Sequence, residues 1–221
     1  MANTLELLDK HKIIVILRRV PEDKCLPLAE TLYRGGIRLV ELTFDQAGDM
    51  GETAKVIDRL RGRFDNKISF GAGTVISAEQ VELAAKAGAE YIISPNTDES
   101  VISRTRELGL VSIPGALTPT EILSAHRAGA HFVKLFPAGI MGAAYIKALR
   151  APVPHVRLIA VGGVSLDNIT DFLQAGACGF GIGSAIAEPE LIREGRFERL
   201  EELARTYTDV AGGLRTGTNF I

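Results

Sequence analysis

The chain has 221 residues, 46% hydrophobic and 24% charged, which is enough apolar material for a packed core and excludes a disordered chain. Its 25 basic and 27 acidic residues are spread over the whole length and leave a formal charge of −2, so no basic block is available for a nucleic-acid backbone or an anionic membrane surface. Apolar runs are broken by glycine or charge well short of the roughly 20 residues a membrane-spanning helix needs. Neither nucleic acid nor membrane is an expected partner.

Residues 1–12 carry no basic segment followed by an apolar stretch and a small-residue cleavage site, so no export signal is read. The only cysteines, Cys25 and Cys178, sit in no partner motif. A reduced, cytoplasmic compartment is the expectation.

In chain order, the first apolar strand is predicted over 13–17. Gly35-Gly36 then stops a helix and opens a strand over 39–42, and a third strand over 68–72 runs into Gly71-Ala72-Gly73-Thr74. Ser77 is placed to cap a helix over 78–87, after which Ala87-Gly88-Ala89 leads into a strand over 91–94, followed by another over 111–113. Thr118, Pro119 and Glu121 form a capping box with proline at the first helical position, opening a helix over 119–127. Ala128-Gly129-Ala130 precedes a strand over 132–135, the strand over 158–161 ends on Gly162-Gly163, and Ala175-Gly176-Ala177 precedes the strand over 179–182. A last amphipathic helix is predicted over 197–210, with a polar terminus over 214–221.

A glycine just past a helix takes a left-handed cap without steric penalty, so each small-residue triplet reads as helix stop, turn, strand. Strand and helix alternate throughout, which argues parallel βα units, and eight strands is the number that closes a barrel. The predicted fold is therefore α/β, a (β/α)8 TIM barrel forming one domain over 1–221.

Catalytic groups of such barrels project from the C-terminal ends of strands. Two residues stand out there. Strand alternation puts Lys134 on one face with Phe132 and Phe136, and Glu41 on one face with Leu39 and Thr43. A barrel strand is covered on both faces, so the Lys134 ammonium loses hydration and its pKa falls. A free lysine near 10.4 is only about 0.04% neutral at pH 7, whereas one tuned to roughly 8 is about 10% neutral. Two readings stay open from these residues alone: a buried Lys134–Glu41 ion pair that only fills the barrel, or a nucleophile with its acid/base partner.

Gly162-Gly163 and the run Gly181-Ile182-Gly183-Ser184 fall where these barrels commonly hold phosphate on backbone N–H groups. Gly71-Ala72-Gly73-Thr74 is either a carboxylate site or a tight βα turn. His11, His126, His131 and His155 show no ligand spacing, so no metal is expected.

Ile16-Leu17-Arg18, Val40-Glu41-Leu42-Thr43, Gly71-Ala72-Gly73-Thr74, Ile93-Ser94-Pro95, Ile113-Pro114-Gly115, Val133 through Ala138, Val161-Gly162-Gly163 and Gly183-Ser184 together resemble the 2-keto-3-deoxy-6-phosphogluconate/4-hydroxy-2-oxoglutarate aldolase family. The resemblance covers nearly the whole chain, each motif falling in order at the end of its own strand. It implies a class I aldolase releasing pyruvate from a small sugar acid, with Lys134 as Schiff-base lysine and Glu41 as the proton shuttle. It also implies Arg18 and Thr74 as contacts to the substrate carboxylate or polar tail, Gly162, Gly163, Gly183 and Ser184 as phosphate cradle, and Pro95 and Phe136 as walls of the pyruvyl pocket. No metal or cofactor is implied, and a homotrimer is.

Two departures bear on the substrate. Members acting on the gluconate-derived acid tend to carry an arginine shortly after the glutamate, whereas this chain reads Phe44-Asp45-Gln46-Ala47, and Asp45 is expected to repel an anion. They also tend to carry threonine before the paired glycines, where Val161 stands here as in relatives acting on the galactonate-derived epimer. Exchanging hydroxyl for methyl beside the reacting carbons removes a hydrogen bond, which leans toward galactonate.

Overall fold

The computed structural model describes residues 2–213, so the predicted terminus over 214–221 lies outside the described residues. Its strands are β1 (Ile13–Leu17), β2 (Leu39–Thr43), β3 (Ser69–Gly73), β4 (Tyr91–Ile93), β5 (Val111–Ile113), β6 (Gly115–Ala116), β7 (Val133–Leu135), β8 (Leu158–Val161) and β9 (Gly179–Ile182). The helices are α1 (Ala2–His11), α2 (Glu22–Arg34), α3 (Met50–Phe64), α4 (Ala78–Lys86), α5 (Glu99–Glu107), α6 (Pro119–Arg127), α7 (Ala138–Arg150), α8 (Ile169–Gln174), α9 (Pro189–Glu194) and α10 (Phe197–Ala211).

All strand pairings are parallel, in the order β5-β4-β3-β2-β1-β9-β8-β7-β6. The expected eight strands become nine because Pro114 divides the fifth. β5 pairs with β4 and β6 pairs with β7, and a proline has no N–H with which to continue a ladder. The two halves are consecutive in the chain, so the break is also the closure. Lys134 N–H donates to the Pro114 carbonyl at 2.8 Å and Phe136 N–H to Ala116 at 3.2 Å.

Local signals account for the element boundaries. Gly36, Gly88, Gly129 and Gly176 all take positive φ at the predicted helix stops. The Thr118–Glu121 capping box is formed in both directions, with Glu121 Oε2 accepting from Thr118 N–H at 2.8 Å. Strand alternation then sorts the core into two shells. Val15, Val40, Phe70, Ile92, Val133, Ala160 and Phe180 face outward and pack beneath the helices. Ile14, Leu39, Tyr91, Val111, Phe132 and Ile159 face inward and fill the barrel.

Helix α1 was not among the predicted elements. Its Leu8, 1% exposed, inserts into the inner cluster, while Thr4 Oγ1 contacts Ser69 Oγ at 3.1 Å and donates to Glu90 Oε2 at 2.9 Å. The helix thereby plugs the N-terminal mouth of the barrel. Access to the interior is from the C-terminal end, onto which Glu41 and Lys134 open.

Candidate active site

Lys134 sits mid-strand in β7 between outward-facing Val133 and Leu135, so its side chain enters the barrel; it is 8% exposed. Glu41 does the same in β2 between Val40 and Leu42 and is 2% exposed. Among the described residues neither takes part in an ion pair within 4.0 Å. Direct pairing, one of the two readings left open by the sequence, is therefore not what the side chains do. Lys134 Nζ instead lies 5.0 Å from the centroid of the Phe136 ring, an electrostatically favourable seat for an ammonium.

Burial governs both ionisations. It pushes the Glu41 carboxyl up from its ordinary range, with Lys134 and Arg18 pulling it partly back. It pulls the Lys134 ammonium down, opposed by Glu41 and reinforced by the positive charge of Arg18. The two ordinary values are thus drawn toward one another. Each shift brings the neutral form of its group closer to the pH at which the other titrates.

Space for the carboxylate comes from β3. Gly71 and Gly73 both face inward, beside Glu41 and Thr43 in register. A Cβ on Gly73 would lie 2.6 Å from Glu41 Cγ and closer still to the carboxylate, and one on Gly71 would lie 2.6 Å from Tyr91 Cγ. The Gly71-Ala72-Gly73 run, expected to be either an anion site or a turn, is strand whose missing side chains admit two larger neighbours. Thr74, which follows it, takes φ +57 and begins the turn.

All eleven residues singled out from the sequence line one cavity of about 880 Å³ at the C-terminal end of the barrel. Gly162 and Gly163 take φ of +84 and +77, and Gly139 N–H donates to the Gly162 carbonyl at 2.7 Å. The cavity also includes Arg19, Ser165 and Arg193, which sequence reading did not single out. Ser165 could have been found from its place just after the paired glycines. Arg193 lies on α9 with no motif around it, and only the packing of that helix over the barrel mouth brings it to the site.

Asp45 does not stand as a free negative charge. Arg19 Nε and Nη2 donate to its two oxygens at 3.0 and 3.2 Å, and Ala47 N–H donates at 3.1 Å. These bonds hold the Asp45 carboxyl below its usual range, the Ala47 N–H contributing most. The expected repulsion of anions is thus largely offset by its own guanidinium partner.

The sequence pattern of the family described as KDPG and KHG aldolase matches residues 5–203. The chain belongs to that family. It is an aldolase, a lyase that cleaves a carbon–carbon bond. Among relatives, it is 40% identical to the Rhizobium meliloti protein named "Probable 2-dehydro-3-deoxy-6-phosphogalactonate aldolase", over 92% of this chain and 95% of that one. It is 35% identical to the Escherichia coli 2-dehydro-3-deoxy-6-phosphogalactonate aldolase, over 79% of this aldolase and 84% of the relative. A solved structure of KDPG aldolase from Legionella pneumophila, with pyruvate captured as a covalent carbinolamine intermediate, superimposes with a TM-score of 0.82 at 27% identity, covering 90% of this aldolase and 95% of that chain.

Proposed function

We propose that this aldolase is of class I, forming a Schiff base on Lys134, and that it cleaves a 2-keto-3-deoxy-6-phospho sugar acid of the galactonate type to pyruvate and an aldehyde phosphate. The observation that carries this reading is the placement of the Lys134 amine and the Glu41 carboxylate, both buried and not paired with one another, on one cavity at the open end of the barrel. An amine so shielded is uncharged often enough to act as a nucleophile.

In the proposed sequence, neutral Lys134 Nζ adds to the C2 ketone, and loss of water from the carbinolamine leaves a protonated imine. Glu41 accepts the C4 hydroxyl proton as the C3–C4 bond breaks, and the bonding electrons flow to the imine nitrogen, giving an enamine and the free aldehyde. Glu41 returns the proton to C3, and hydrolysis of the imine releases pyruvate and regenerates the amine. Arg18 and Thr74 are assigned to the substrate carboxylate or polar tail, Pro95 and Phe136 to the pyruvyl pocket, and the backbone of Gly162, Gly163, Gly183 and Ser184 to the phosphate.

Support for the galactonate epimer comes from Val161 at the cavity wall, which offers no hydroxyl, and from the names of the two curated relatives. A homotrimer is the assembly carried by the family resemblance, and the cytoplasm is the location expected from the two cysteines in no partner motif. Light scattering tests the assembly against a protomer of 23.7 kDa.

The decisive experiment is trapping with pyruvate and borohydride, followed by peptide mapping. A stable adduct on Lys134, lost in Lys134→Ala together with cleavage, is the expected result; labelling elsewhere, or none, rejects the assignment. A pyruvate-release screen over phosphorylated and unphosphorylated 2-keto-3-deoxy acids of both C4 configurations then tests the substrate.

A further inference from the structure

Two buried side-chain atoms among the described residues have no hydrogen-bond partner, Glu41 Oε2 and Tyr91 Oη. Both belong to the barrel interior, and both lean on the same strand. Tyr91 comes from β4 and its ring lies across Gly71; Glu41 comes from β2, on the opposite side of β3, and its carboxylate lies across Gly73. Gly71 and Gly73 are successive positions on one face of β3, about 7 Å apart, a separation comparable to the length of a tyrosine side chain.

The other polar groups of the interior are engaged. Thr43 Oγ1 donates to the Leu17 carbonyl, and Ser69 Oγ is held by Thr4 and Glu90 at the plugged end. Lys134 is the amine that must stay free for the ketone. Arg18 lies at the cavity with Glu41 as a charge, whereas Tyr91 Oη is the buried neutral donor without a partner. A single water with two such polar partners can satisfy both.

We infer that Tyr91 is a positioning residue for the proton shuttle: its hydroxyl donates to Glu41 Oε2 through one bridging water, fixing that oxygen and leaving Oε1 for the substrate. The inference rests on the assignment of Glu41 as the base. The charged groups facing Glu41 are Lys134 from β7 and Arg18 after β1, and both favour its ionised form. Tyr91 is faced by Glu41 and by Glu90 at the foot of β4, and burial together with these two carboxylates raises its pKa well above the ordinary tyrosine value. It is therefore a neutral donor throughout the working pH range.

Tyr91→Phe removes the hydroxyl and leaves the ring over Gly71, so the barrel is retained. Losing a donor to the charged carboxylate raises the Glu41 pKa. The acid limb of kcat/KM is expected to move up by about one pH unit, the scale of a hydrogen bond to a charged group. Well below that limb the variant is then about tenfold slower than wild type, while the plateau at higher pH stays within about threefold. A variant whose acid limb coincides with that of wild type overturns the inference.

An infrared titration of the carboxyl band that disappears in Glu41→Gln reads the same shift without turnover. A midpoint unmoved by Tyr91→Phe also overturns it. Failure of wild type to form the Lys134 adduct would instead sink the Schiff-base reading, and the infrared titration would still decide the link between Tyr91 and Glu41.

Discussion

Gly73→Ala separates catalysis from folding. The added Cβ would lie 2.6 Å from Glu41 Cγ, whereas ordinary contact begins at 3.4 Å, so Cγ retreats by about 0.8 Å and the carboxylate beyond it by more. Gly73 does not have positive φ, so the alanine backbone is unstrained, and the atoms that give way are the end of a flexible side chain beside an open cavity. Stability is expected to change by less than about 1.5 kcal/mol, because lost chain entropy in the unfolded state offsets part of the crowding. A misplacement of about 1 Å costs on the order of 100-fold in turnover, which is about 2.7 kcal/mol of barrier. The variant should therefore melt close to wild type and release pyruvate about 100-fold more slowly in an assay coupled to lactate dehydrogenase. Gly71→Ala is the contrasting control, since its Cβ meets the rigid, fully buried Tyr91 ring; it should destabilise the fold by roughly 1–3 kcal/mol. A Gly73→Ala enzyme within threefold of wild-type kcat refutes the reasoning that β3 is cleared to seat the carboxylate.

The raised Glu41 pKa has a sign that stability measurements can read. Below the unfolded-state pKa both states hold the proton, so burial imposes no charge penalty. As pH rises through the raised folded value, the native state must either keep a buried carboxylate or hold a proton the unfolded chain has released, and it loses stability. Denaturant titrations of wild type and Glu41→Gln should diverge in favour of the variant from acid to neutral pH, while its turnover collapses; parallel curves would contradict the shift. At the cavity mouth, Asp45→Asn frees the Arg19 guanidinium for an anionic substrate. KM for a phosphorylated acid should fall by about threefold at low ionic strength and by less in high salt, as expected of an exposed charge, and a KM unchanged at low salt excludes Arg19 from substrate attraction.

Much of this molecule is decided locally. The small-residue triplets stop helices because a left-handed glycine cap is cheap wherever it occurs, and the Thr118–Glu121 box closes over four consecutive residues. Period-two alternation puts Lys134 and Glu41 on the inner face once parallel strands are granted, so the two inward ionisable side chains to which we assign the chemistry could be named from the sequence. What lay beyond it depends on contacts between distant segments. Pro114 both splits a strand and closes the ring, which shows only when β4 and β7 stand on either side of it. Plugging by α1 depends on Leu8 finding the inner cluster, and Arg193 reaches the cavity only because α9 folds over its rim. Gly71 and Gly73 read as a carboxylate site or a turn until Tyr91 and Glu41 arrive from neighbouring strands to fill the space. Whether Lys134 and Glu41 pair or stand apart was likewise settled by tertiary packing, since alternation fixes the face a side chain takes but not the distance across a barrel.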